Sequence, residues 1–65
     1  MQIKVNGKQR EIAPCTLIEL LEQFDVNPQL IAVEHNGEIV RRDGFEWVTL
    51  KDGDNLEIVH MVGGG

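Results

Sequence analysis

The 65-residue chain contains no serine and no tyrosine. A Ser-His-Asp nucleophilic triad is therefore excluded. Its one cysteine, Cys15, cannot close an internal disulfide, which removes a disulfide-stapled secreted framework from consideration. Basic residues are scarce, with six Lys and Arg against eleven Asp and Glu and a formal net charge of −5. Nucleic-acid binding needs clustered cations, and the only adjacent basic pair, Arg41-Arg42, is followed at once by Asp43. An acidic surface suits instead a protein partner with a basic docking face. No apolar run approaches the ~20 residues that cross a membrane. Met1 leads directly into alternating polar and apolar residues, so no signal peptide is expected and the expected location is cytoplasmic.

Catalytic groups are equally thin. Cys15, His35 and His60 are too few and too scattered in sequence for a zinc site. Cys15 beside His35 or His60 could form a nucleophile pair on paper, but a small half-buried residue ahead of a helix is the simpler reading. Asp52 and Asp54 flank Gly53 in what reads as a turn, which explains them without a metal or acid–base role. Gly7, Gly37, Gly44 and Gly53 are isolated, so no phosphate-cradling glycine loop exists.

What is present is a set of short, well-marked elements. Met1, Ile3 and Val5 alternate with Gln2 and Lys4, the period of a half-buried strand. Asn6-Gly7 then signals a two-residue type I′ hairpin, and residues 8–12 return as a polar edge strand. Thr16 and Glu19 form a capping box ahead of a helix whose stripe is Leu17, Leu20, Leu21 and Phe24. Pro28 is expected to end that helix by disfavouring helical geometry at Asn27. Leu30-Ile31-Ala32-Val33 reads as an interior strand, and Asn36-Gly37 as a second tight turn leading into Glu38-Ile39-Val40. Residues 41–50 carry Phe45, Trp47, Val48 and Leu50, all expected to be at least partly buried around a single helical turn. A turn at residues 51–54 precedes a final strand over residues 55–62.

This ββαββ order predicts an α+β domain over residues 1–62, a mixed sheet with one face covered by a single helix. Placing the last strand at the sheet centre, beside the first, makes it a ubiquitin-like β-grasp. Gly63, Gly64 and Gly65 have no side chains to pack and are expected to form a flexible arm. Such an arm could thread a channel too narrow for other residues and present its carboxylate there. With a pKa of about 3.3–3.7 that carboxylate is ionised at neutral pH. It could attack the α-phosphorus of ATP held by a separate enzyme.

Three stretches carry a resemblance. They are Met1-Gln2-Ile3-Lys4-Val5-Asn6-Gly7, residues 31–40, and residues 50–59 together with the Val62-Gly63-Gly64-Gly65 end. Together they resemble the ThiS family, the sulfur carriers of thiamin biosynthesis. The resemblance implies that an E1-like, ThiF-like adenylating enzyme uses ATP to convert the Gly65 carboxylate to an acyl-adenylate. A persulfide sulfur donor then leaves a thiocarboxylate, and a ThiG-like thiazole synthase takes the sulfur. The chain itself is then a carrier rather than an enzyme, with no bound cofactor, no metal, no nucleic acid and no membrane. Two rivals share the Gly-Gly end: the small subunit of molybdopterin synthase and a ubiquitin-like protein modifier. The partner-docking surface is expected on the sheet face left bare by the helix, with Val59, Met61 and Val62 as its residues near the arm.

Overall fold

Both Asn-Gly pairs adopt left-handed backbone, with φ of 51° and 82° at Asn6-Gly7 and 53° and 88° at Asn36-Gly37. This is the geometry a type I′ hairpin turn demands. The computed structural model describes residues 1–61. Its elements are strands β1 (Gln2–Val5) and β2 (Lys8–Glu11), helix α1 (Leu17–Gln23), and strands β3 (Ile31–His35), β4 (Glu38–Val40) and β5 (Asn55–His60). Each Asn-Gly turn closes an antiparallel hairpin, β1–β2 and β3–β4. The sheet order is β2-β1-β5-β3-β4, so β5 lies in the centre, parallel to β1 and antiparallel to β3. β2 is an outer strand exposed along its whole length, as its polar sequence predicts.

Alternation along the strands sends Ile3, Val5, Ile31, Val33 and Leu56 to one face, where Leu17, Leu20 and Leu21 of α1 cover them. The apolar stripe of the helix is thus its buried face. The Thr16 capping box is present in both directions: the Glu19 amide donates to Thr16 Oγ1 at 3.3 Å, and the Thr16 amide donates to Glu19 Oε1 at 2.8 Å. No helix among the described residues is long and apolar enough to cross a membrane.

Two local expectations need correction. The helix stops at Gln23, before Pro28 can act. Asp25 takes φ of 57°, its amide donates to the Glu22 carbonyl and the Val26 amide to the Leu21 carbonyl, a Schellman ending built on Asp where Gly is usual. Pro28 instead opens a 3₁₀ turn, Pro28–Leu30, capped by the Asn27 side chain. Trp47 is not buried but 80% exposed, while Phe45 and Leu50 enter the core and Val48 packs against it. The segment carrying them follows a 3₁₀ turn, Arg42–Gly44, and wraps the start of α1. There the Leu17 amide donates to the Val48 carbonyl and the Ile18 amide to the Phe45 carbonyl. With the capping box holding the Thr16 and Glu19 amides, all four unpaired donors at the helix start are satisfied. Trp47 lies on the outside of this wrap, beyond the core.

The turns also act at long range. Asn6 accepts from the Ile58 amide at 2.7 Å and donates to the Ile58 carbonyl at 3.1 Å, so its carboxamide serves as one more rung beside β5. Asn36 accepts from the Asn55 amide at 2.8 Å and donates to Asp54 Oδ1 at 3.0 Å. Asn36→Gly keeps the left-handed turn and deletes these bonds together with a long 3.5 Å contact from Asn36 Nδ2 to His35 Nε2. It should lower stability by about 2 kcal/mol, from two lost bonds. For a domain this small that is about 10 °C in melting temperature. Calorimetry on both proteins checks it; unchanged melting would mean the turn geometry alone positions the second hairpin.

Candidate functional site

The final strand runs through the middle of the sheet and ends at His60, with the Met61 amide still bonded to the Leu30 carbonyl at 2.8 Å. The end of this strand is therefore held by β3, while β1 pairs only with its start at Asn55 and Leu56. Val62, Gly63, Gly64 and Gly65 lie outside the described residues. The arm expected at Gly63, Gly64 and Gly65, and the docking role expected at Val62, accordingly have no structural account.

Along β5 the faces divide as alternation requires. Leu56 is buried and Ile58 half-buried on the helix side, whereas Val59 is 59% and Met61 56% exposed. Register places Val59 beside Ala32, and Ile39, 71% exposed, beside Glu34. The open face thus presents apolar side chains at β4 and β5. Residues 41–50 do not cover Val59 or Met61; they are spent around the helix start. Glu34 and Glu57 stand directly opposite each other on this open face. Like charges across a strand pair are destabilising, and among the described residues neither carboxylate has a cationic partner.

Cys15, His35 and His60, weighed in the sequence as a nucleophile pair or a zinc set, form no metal-holding cluster among the described residues. His35 and His60 sit at opposite ends of the β3–β5 pairing, opposite Leu56 and Ile31 respectively. Cys15 is half-buried before α1, its carbonyl accepting from the Leu50 amide. Burial first, and the Glu19 carboxylate second, push its thiol pKa upward. That shift disfavours the thiolate a nucleophile requires.

A pairing missed from sequence is His35 with Asp54. His35 Nε2 lies 2.8 Å from Asp54 Oδ2, and Asp54 is only 7% exposed. Asp54 also accepts from Asn36 Nδ2 and from the Lys51 amide at 2.9 Å. The Asp-Gly-Asp run is a turn, as expected, but Asp54 is also the point where that turn is tied to the β3–β4 hairpin. Its partners are 18 and 19 residues away, and no local pattern announces such a contact. The nearest available sign was the repetition of Asn-Gly behind a histidine.

Burial alone would raise the Asp54 carboxyl. The bonds from His35, Asn36 and the Lys51 amide, with the His35 charge, outweigh it and hold the pKa below the usual 3.8. The folded state then binds fewer protons than the unfolded one. The contribution is full above 3.8 and is lost as pH falls through the folded value. The stability gap between the natural chain and Asp54→Asn should accordingly narrow as pH drops from 6 to below about 3. Urea titrations across that range test this, and a gap independent of pH would mean the ionised carboxylate contributes nothing.

A five-stranded mixed sheet with a parallel central pair, one helix across one face and a C-terminal exit from the middle strand defines a ubiquitin-like β-grasp protein. The chain belongs to the ThiS family, whose model matches residues 3–65. It superposes on the crystal structure of the thiamine biosynthesis protein ThiS from Geobacter metallireducens with a TM-score of 0.88, at 36% identity and 100% of both chains. It is 40% identical over 50 residues to the sulfur carrier protein ThiS of Bacillus subtilis, covering 77% of this chain and 76% of that one. It is also 39% identical over its full length to a thiazole synthase of Paramagnetospirillum magneticum, of which it spans 20%.

Proposed function

We propose that this chain is a sulfur carrier for thiazole formation in thiamin biosynthesis, with the Gly65 carboxylate as the carrying group. The observation that carries the reading is the family match, which runs to residue 65 and so includes the three glycines. Similarity to a protein named as a sulfur carrier supports it. So does the alignment within a thiazole synthase, which supports such an enzyme as the sulfur acceptor.

The chemistry starts from the poor electrophilicity of a carboxylate. Attack of a Gly65 oxygen on the α-phosphorus of ATP, held by a ThiF-like adenylating enzyme, expels pyrophosphate and leaves an acyl-adenylate. The terminal sulfur of a persulfide donor attacks the acyl carbon and expels AMP, forming an acyl disulfide. A further thiol cleaves that disulfide, is itself oxidised to a disulfide, and leaves the thiocarboxylate for thiazole synthase. In this scheme ATP and every catalytic group belong to partners. The chain supplies the carboxylate, a glycine arm slim enough to enter a channel, and a rigid mount.

The open sheet face fits the docking role. Its apolar Val59 and Met61 lie near the end of β5, and the facing Glu34 and Glu57 carboxylates would gain from a partner's cation. Docking there would place the adjoining Val62 and the arm at the partner's site.

Two tests follow. Deleting Gly65, or replacing Gly64 by Val, should abolish thiocarboxylate formation while leaving the melting temperature unchanged. Intact mass after incubation with adenylating enzyme, ATP and sulfur donor reads it directly. A truncated chain that still gains sulfur ends the carrier reading, and high-mass lysine conjugates would indicate a protein modifier. On the docking face, Val59→Asp and Met61→Asp should each weaken binding to the adenylating enzyme by ~2 kcal/mol, as interface hot spots do. Both side chains are solvent-exposed, so folding should be retained; full affinity in both variants moves the docking surface elsewhere.

A further inference from the structure

We propose that the groove between the C-terminal end of α1 and the β1–β2 hairpin docks an acidic peptide segment of a partner protein through one apolar side chain and its flanking carboxylates. The groove encloses about 460 Å³ on the helix side of the sheet. Its floor is formed by Phe24, Val26 and Ile58, all half-buried, so each keeps an apolar edge toward solvent. Its walls carry Lys8, Arg10 and His60.

Charge singles this place out. The chain holds eleven Asp and Glu against six Lys and Arg, yet no Asp or Glu lines the groove. The Arg10 guanidinium lies 4.9 Å above the centre of the Phe24 ring, which braces it over the apolar floor. Among the described residues no carboxylate forms an ion pair with Lys8 or Arg10. Two uncompensated cations and an imidazole thus surround exposed apolar edges on a protein of net negative charge. The complementary ligand carries negative charge around an apolar centre.

Shape decides between a small anion and a peptide. Small-molecule sites enclose most of their ligand, whereas this groove is open to solvent. A lone anion there stays hydrated and gains little. A peptide gains twice, covering the floor with an apolar side chain while its neighbouring carboxylates meet Lys8 and Arg10. The wall at the turn is already firm, because Asn6 is bonded to the Ile58 backbone on both sides. The site lies across the sheet from Val59 and Met61 and does not depend on the sulfur-carrier reading.

The test titrates the isotopically labelled full chain with an acetylated, amidated peptide of one leucine flanked by two glutamates on each side. Saturable amide shifts centred on Lys8, Arg10, Val26, Ile58 and His60 are expected. Lys8→Glu and Arg10→Glu should each weaken binding about tenfold, as reversal of a facing charge does. Lysines in place of the peptide's glutamates should abolish it. Because Arg10→Glu also loses the Phe24 contact, Lys8→Glu and the lysine peptide decide if that variant melts early. Absence of saturable shifts, shifts centred on Val59 and Met61, or binding indifferent to Lys8→Glu would overturn the proposal. So would inorganic phosphate matching the peptide at the same residues, which would make this an anion site only.

Discussion

A strand at the centre of a sheet must find partners on both edges, and β5 is short of them at both ends of its pairing. β1 pairs with it only at Lys4 and Val5 before the chain turns away, and β3 reaches only from Leu56 to His60. The two asparagines of the Asn-Gly turns fill the shortfall, Asn6 at Ile58 and Asn36 at Asn55. Each side chain does for β5 what a further strand residue would have done. A turn residue that tolerates left-handed backbone and carries a carboxamide meets both demands at once, which glycine alone could not. The hairpins are thereby fixed to the central strand, as well as closed on themselves.

The same economy governs the helix. Seven residues make too short a helix to persist on propensity alone. It persists because Leu17, Leu20 and Leu21 are fully buried and because both ends are bonded. The start is held by the capping box and by the Phe45 and Val48 carbonyls; the end is held by the Asp25 Schellman turn. Residues 45–50 therefore serve the helix more than the sheet. That leaves the opposite sheet face bare, with Ile39, Val59 and Met61 in solvent.

Features with a local physical cause could be read from the sequence. Asn-Gly requires positive φ wherever it occurs, Thr16 and Glu19 interact within one turn, and the period along β1 and β5 needs only neighbours to set it. The central position of β5 was also legible, since a lone apolar helix stripe and an exit strand of alternating residues leave few arrangements. The misreadings share another cause. Trp47 was expected to be at least partly buried, yet backbone bonds to Leu17 and Ile18 dictate the path of the segment that carries it. The helix stop was assigned to Pro28 because Asp25 carries no strong mark for the left-handed region. His35 and Asp54 meet only after the second hairpin has docked on the turn before β5. As for the candidate site, its chemistry was read at Gly65 and its surface at Val59 and Met61. The groove at Lys8, Arg10 and Phe24 escaped notice because its lining comes from β1, β2, the end of α1 and β5, which are spread along the sequence.

The proposed placing of the functional group at Gly65 bears on the fold. Two-state domains of this size are marginal, with little stability to spend on strained or unpaired groups in a built active site. Among the described residues every buried side-chain polar atom has a hydrogen-bond partner, and the one buried carboxylate, Asp54, is bonded on both oxygens. What the domain contributes in the proposed scheme is mechanical: a central strand held by β1 at its start and by β3 as far as His60. A carboxylate beyond such a strand can be handed between partners while the fold behind it stays unchanged. In the proposed scheme the cost of activating it falls on the adenylating enzyme that holds ATP, where a larger structure can accommodate it.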